Sequence, residues 1–139
     1  MESCRNSMYR LRMNEEQREL AAELRSKPSD QIADWLLQHY PNGGEAIVLL
    51  EHVTLRKSDY RRLAARYLAG RSHADNRAYR LFAQYLGLSG LIRILGEARH
   101  REARDADLLA YHLRPLLRHA RNEQELREAT AFVDALAEA

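Results

Sequence analysis

The chain has 139 residues, a single cysteine and a formal net charge of +2 at pH 7, with 22 basic and 20 acidic side chains. A chain of this length can bury a core without disulfides or metal ions, and one cysteine excludes an internal disulfide. The first residues lack the apolar run of a signal peptide, and no apolar run is long enough to cross a membrane. We therefore expect a cytoplasmic protein that makes no membrane contact.

The sequence predicts a succession of helices separated by short breaks. Small polar residues that favour helix N-termini recur along the chain, each followed by apolar residues at helical spacing. In chain order, the predicted caps are Asn14 with Gln17, Ser29 or Asp30, Ser58, Asp75, Ser89, Asp105 and Asn122 with Glu125. Breaks are expected at Pro28 and at residues 41–44, and Pro115 should kink or split a helix near residues 112–114. The limits of the helix that Ser89 opens are left undefined by Gly87, Gly90 and Gly96.

One further helix is expected over about residues 45–55, with apolar side chains on more than one side, which indicates neighbours on two faces. No segment shows the sustained alternation of a strand. The predicted fold class is all-α, a compact bundle or short antiparallel array of seven to eight helices. Residues 1–13 are expected to form a flexible N-terminal segment and residues 14–139 a single helical domain.

The fourth and fifth predicted helices carry the same layout. The pattern Arg-Leu-x-Ala-x-Tyr-Leu occurs at residues 62–68 and again at residues 80–86. The two copies are 18 residues apart, which is shorter than the roughly 30 to 45 residues of a helical-hairpin repeat. We therefore interpret the likeness as two helices that pack against the core in the same way. In general outline, the short helices with leucine and alanine faces resemble HEAT-type scaffolds. That resemblance implies antiparallel stacking and no particular function.

Residues 56–80 hold the excess positive charge of the chain. Eight basic side chains stand there against two acidic ones, whereas residues 14–55 have eight acidic against three basic side chains. Residues 122–139 are also acidic, with five acidic side chains against one basic. On the two helices, one predicted outward row contains Asp59, Arg62 and Arg66, and the equivalent row contains Arg77, Arg80 and Gln84. Antiparallel packing would merge the rows into one basic surface.

We predict that this surface binds a partner, with Arg71 at its rim and Tyr79 beside Arg80 as an aromatic anchor. The predicted partner-binding residues are Arg62, Arg66, Arg71, Arg77, Tyr79 and Arg80. A tyrosine at the boundary of the core is the competing interpretation of Tyr79.

Guanidinium groups suit both carboxylates and phosphates, so two kinds of partner are considered. The favoured hypothesis is a non-catalytic interaction module, an adaptor or regulator, that binds an acidic protein surface. The alternative is a nucleic-acid-associated regulatory protein that uses the same basic patch, although the small net charge and the acidic flanks count against it. A basic face that is only solvated also fits the pattern.

The sequence shows no complete catalytic or metal-binding pattern. Glu97 and His100 have the spacing of half a di-iron site, but a second such pair is missing. Asp105 and Asp107 are explained by a helix start. The motifs of phosphate loops and nucleophile elbows are absent. We therefore predict no enzyme activity, no metal and no cofactor.

Overall fold

The structure is a computed structural model that describes residues 13–69, 76–97 and 103–138. Within these ranges the chain forms helices and no strand, which confirms the all-α prediction. In chain order the elements are α1 (Glu15–Arg25), α2 (Ser29–His39), α3 (Glu45–Leu50), α4 (Lys57–Tyr67), α5 (Arg77–Glu97), α6 (Ala103–Leu113), a 3-10 helix (Arg114–His119) and α7 (Glu123–Glu138). None of these described helices is long and apolar enough to cross a membrane.

Contacts between residues divide the chain into two compact units, Met1–Leu55 and Arg56–Ala139. The two units do not test whether residues 14–139 form a single domain, so that statement stays a prediction. The predicted flexible segment covers residues 1–13, of which residues 1–12 lie outside the described part of the chain.

The first unit begins with the capping box that the sequence predicts. The side chain of Asn14 accepts a hydrogen bond from the backbone N–H of Gln17 (2.8 Å), and the side chain of Gln17 accepts one from the backbone N–H of Asn14 (3.0 Å). The predicted cap of the next helix was wrong, because α2 already includes Ser29 and begins directly after Pro28. Proline suits this position since its fixed φ is compatible with a helix start.

Helix α3 is shorter than predicted, since it ends at Leu50 and not near Leu55. Its five residues after Glu45 are all buried, which confirms the expectation of neighbours on more than one side. After the helix the chain turns at residues 51–52, and Arg25 donates a hydrogen bond to the carbonyl oxygen of His52 (3.0 Å). Val53 and Leu55 remain buried without continuing the helix, because an extended chain also brings alternate apolar residues into a core.

In the second unit, α4 and the first half of α5 pack against each other. The apolar side of α4 is buried as predicted, and its members are Tyr60, Leu63, Ala64, Tyr67 and Leu68. The rings of Tyr60 and Tyr85 stack with centroids 4.2 Å apart and planes 11° apart. This contact joins the start of α4 to the end of the first half of α5.

Helix α5 is broken at Gly87, one of the three glycines that leave the helix limits undefined in the sequence. The backbone of this residue has φ 77° and ψ 164°, so α5 consists of two helical halves that meet there. This conformation is essentially restricted to glycine, because a Cβ atom would clash with the neighbouring backbone. A Cβ atom at this position would also lie 3.0 Å from Nη2 of Arg121.

Replacing Gly87 by alanine is expected to lower the free energy of unfolding by about 1–3 kcal/mol, because the break depends on this backbone conformation. Chemical denaturation followed by circular dichroism measures the change. Gly96→Ala is the matched control. The added methyl there meets Phe132 only at an ordinary contact distance of 3.8 Å, and alanine favours a helix more than glycine does. Equal effects of the two substitutions would contradict this account of Gly87.

The chain after α6 follows the predicted effect of Pro115. Helix α6 ends at Leu113, and a 3-10 helix over Arg114–His119 follows, because proline removes a hydrogen-bond donor and crowds the preceding turn. Helix α7 then returns along α6, with Arg114 paired to Asp134 at 3.9 Å. On α7, Ala129 and Val133 are buried as predicted, whereas Leu126 is 42% exposed.

Candidate binding surface

Helix α4 carries several exposed cations on the side opposite its buried residues. The apolar residues of the helix are turned into the second unit, so the positions between them are exposed. Five exposed cations occupy or adjoin this side, and together we call them the α4 basic face: Arg56, Lys57, Arg61, Arg62 and Arg66. Ser58, Ala65 and Ala69 are exposed between them, so the described residues 56–69 place no acidic side chain on this surface.

The carboxylate of Asp59, which lies in the same stretch of chain, is buried beneath the α4 basic face. Asp59 is 3% exposed, although the sequence predicts it in the outward row. Its Oδ1 lies 3.1 Å from Nη1 of Arg62, and its Oδ2 lies 3.7 Å from Nε of Arg56. Burial is tolerated because both carboxylate oxygens face a guanidinium group. Five cations against one carboxylate leave the face with a formal charge of +4.

Helix α5 adds a smaller basic contribution beside α4. Arg80 is exposed and Arg77 is partly buried. The helix that carries Arg80 contacts α4 through the Tyr60–Tyr85 stack. Of the other predicted partner-binding residues, Arg71 lies outside the described part of the chain.

The prediction that Tyr79 anchors a partner from the surface was wrong about its position. The side chain is 1% exposed, and its ring stacks on that of His112 with centroids 6.0 Å apart. The prediction was wrong because α5 has more than one buried side. The ring of His112, a residue of α6, stacks on the ring of Tyr79, so Tyr79 belongs to the core of the second unit.

The aromatic side chains of α4 lie on the buried side of the helix and are not part of the α4 basic face. Tyr60 and Tyr67 are 1% and 4% exposed. Burial raises the pKa of Tyr67 to about 12, against a smaller opposing effect of Arg66, so the phenol stays neutral. The α4 basic face therefore offers guanidinium and ammonium groups to a partner, and its helix offers no exposed ring.

A second polar cluster surrounds Glu125 at the start of α7. The backbone N–H of Glu125 donates to the side chain of Asn122 (2.8 Å), as half of the predicted capping box. The other half differs, because the carboxylate accepts from the backbone N–H of Arg121 (2.9 Å) and from the hydroxyl of Ser89 (2.6 Å). The backbone N–H of Ser89 and the guanidinium of Arg121 add contacts of 3.3 Å each.

These contacts define the chemistry of Glu125. The Ser89 hydroxyl and then the Arg121 backbone N–H lower the pKa of the carboxyl from 4.5 to about 2. A carboxylate this acidic is a poor base toward the Ser89 hydroxyl at neutral pH, so the pair is not arranged as a nucleophile and its base. Glu125 instead caps two helical segments, its own helix and the second half of α5.

The remaining candidate residues are the histidines and acidic residues considered for a metal site. In the described ranges, no group of three or more His, Cys, Asp or Glu side chains is arranged to hold a metal ion. His100, the partner of Glu97 in the half-site pattern, lies outside these ranges. His112 is buried and His119 is exposed.

Sequence reasoning missed two features of the surface. The contact between Ser89 and Glu125 joins residues 36 positions apart, and the capping box predicts only the local part of it. Tyr111 is 71% exposed. A signal for it exists, because Ala106, Leu109, Ala110 and Leu113 define a buried side of α6 from which Tyr111 points away.

No family model, no curated protein and no solved structure matches this sequence. The resemblance to HEAT-type scaffolds stays a prediction, and function has to be argued from the surface itself.

Proposed function

We propose that the protein is a non-catalytic interaction module, an adaptor or regulator, that binds an acidic protein surface through the α4 basic face and Arg80. The observation that carries the proposal is the charge arrangement on α4. Five exposed cations lie on or beside one helix, and Asp59, the one acidic side chain of residues 56–69, is buried beneath them. A surface of one sign steers and orients a partner of the opposite sign.

The spacing of the face suggests what the partner presents. Lys57 and Arg61 are four residues apart, as are Arg62 and Arg66, which corresponds to about 6 Å along a helix. Guanidinium groups bind carboxylates in a planar, two-pronged geometry. An acidic segment with carboxylates at a similar spacing would therefore pair with several cations at once.

The hypothesis of an acidic protein partner has more support than the nucleic-acid alternative. Proteins that bind single strands combine basic grooves with exposed aromatic rings on which bases stack. The tyrosines of α4 are buried beneath its basic face. We also propose a cytoplasmic location, which the single cysteine supports because proteins of oxidising compartments commonly pair their cysteines.

A double charge reversal tests the proposal. Arg61→Glu combined with Arg80→Glu leaves the Arg62–Asp59 pair in place, so it changes the surface without disturbing the buried carboxylate. We expect the affinity for the protein partner to fall by about 30-fold or more, since each lost charge pair costs roughly 1–2 kcal/mol. The partner is first recovered by cross-linking from nuclease-treated lysate of the native host, and its affinity is then measured by calorimetry at two salt concentrations.

The matched control is Arg93→Glu combined with Arg127→Glu, which makes the same charge change at exposed positions outside the α4 basic face. We expect this control to bind within about threefold of the unchanged protein, because distant surface charges are screened. Equal losses in both variants would refute a localised surface. Tight binding of duplex or single-stranded nucleic acid with a steep salt dependence, in place of a protein partner, would favour the alternative.

A further inference from the structure

Helix α6 carries an exposed stripe that the second unit does not use for its own packing. Tyr111 is 71% exposed and Leu108 is 37% exposed, so both are among the large apolar side chains that the described surface leaves uncovered. The exposed residues continue along one side of α6 and the 3-10 helix. We call this set the α6 stripe: Asp107, Leu108, Tyr111, Arg114 and Pro115.

The opposite side of α6 already provides the contacts that hold the helix in place. Ala106, Leu109, Ala110 and Leu113 are between 0% and 3% exposed. An exposed tyrosine flanked by leucine, proline and arginine has the composition of interface centres, in which Tyr and Arg are enriched.

The α6 stripe is complementary to a second copy of itself. Asp107 lies about 6 Å before Tyr111 along the helix, and Arg114 lies about 4.5 Å after it. At about 100° per residue, both fall on the same side of Tyr111, and Leu108 and Pro115 fall together on the other side. When a second α6 lies antiparallel across Tyr111, Asp107 of each copy faces Arg114 of the other, and Leu108 faces Pro115.

We infer that the α6 stripe is a two-fold symmetric interface between two copies of this chain, centred on Tyr111. In such an interface each contact occurs twice, because residue i of one copy meets residue j of the other and the reverse. The existing pair between Arg114 and Asp134 does not oppose this arrangement. Its two side chains are 53% and 56% exposed and their charged atoms are 3.9 Å apart, which is typical of a weak surface pair.

Two helical faces of this length form a small interface, so the dimer is weak. We expect a dissociation constant on the order of 10–100 μM, below the affinity of interfaces of standard size. Sedimentation velocity over a concentration series that brackets this range measures it. Tyr111→Asp should weaken the dimer at least tenfold, whereas Tyr111→Phe should retain it because the ring is kept.

Charge reversal provides the sharper test. Asp107→Arg alone and Arg114→Glu alone each create two repulsive contacts in a symmetric dimer, so each variant should be monomeric across the series. An equimolar mixture of the two variants should form a dimer again, since the introduced arginine then faces the introduced glutamate and the two native residues face each other. Arg118→Glu is the control for a charge change close to the α6 stripe, and it should leave the dimer within about threefold of the unchanged protein.

Three results would overturn the inference. The first is a chain that remains monomeric throughout the series at low salt. The second is self-association that persists in Tyr111→Asp, which would place the interface elsewhere. The third is a mixture of the two charge-reversed variants that stays monomeric although each variant retains the helical content of the unchanged protein.

Discussion

Replacing Glu125 by alanine is expected to lower the free energy of unfolding by about 3 kcal/mol. The carboxylate is 5% exposed and accepts hydrogen bonds from Ser89 and Arg121, so its loss removes the acceptor that the starts of two helical segments share. Hydrogen bonds to a charged acceptor contribute about 1.5–3 kcal/mol, and the contribution from the Arg121 side chain is small because it is 70% exposed. Urea denaturation followed by circular dichroism measures the loss.

The effect of Glu125 should also appear as a pH dependence. Its pKa is about 2 in the folded chain, below the ordinary value of 4.5, so the folded state binds this proton less readily than the unfolded state. The stabilising contribution is therefore complete above about pH 4.5 and is lost as the pH falls toward 2. In Glu125→Gln this acid-dependent loss should be reduced by on the order of 2 kcal/mol.

Glu123→Gln is the matched control for both measurements, because Glu123 is an exposed acidic residue in the first turn of the same helix. Its substitution should change the free energy of unfolding by about 0.5 kcal/mol, as expected for one charge near a helix N-terminus. An acid dependence of stability that is the same in Glu125→Gln and in the unchanged protein would show that the carboxylate does not hold the two helix starts together.

Truncating Phe82 to alanine is expected to have the largest effect of the substitutions considered, a loss of about 3–5 kcal/mol. The side chain is fully buried on the half of α5 that packs against α4. Its removal eliminates apolar burial and leaves a cavity that the surrounding helices fill only in part. Because the α4 basic face depends on this packing, the second unit should lose partner binding together with its fold.

Phe82→Leu separates the volume of the side chain from its aromatic character. Leucine fills most of the space, so we expect a loss of roughly 1 kcal/mol in the same denaturation experiment. A loss below 1 kcal/mol for Phe82→Ala would mean that the packing between α4 and α5 does not rest on this ring.

The features that were predicted correctly depend on local chemistry. The capping box at Asn14 and Gln17 and the end of α6 before Pro115 each follow from the backbone preferences of a few adjacent residues. The buried side of α4 follows from helical spacing alone. These signals need no knowledge of which helices are neighbours.

The features that were predicted wrongly depend on neighbours distant in sequence. Tyr79 is buried, and the ring of His112, a residue of α6, stacks on its ring. Asp59 was placed outward by its spacing, but its carboxylate is buried between Arg56 and Arg62. Helical spacing identifies one buried side, and it cannot show where a second neighbouring helix widens that side.

The buried position of Asp59 has a consequence for selectivity. Long arginine side chains lose conformational entropy when a ligand immobilises them, at a cost of about 1.5–2 kcal/mol each. Arg56 and Arg62 are already restrained by the carboxylate beneath them, so part of this loss occurs on folding. Under the proposed function, guanidinium groups restrained in this way would favour a partner whose carboxylates have a matching rigid spacing over a flexible polyanion of the same charge.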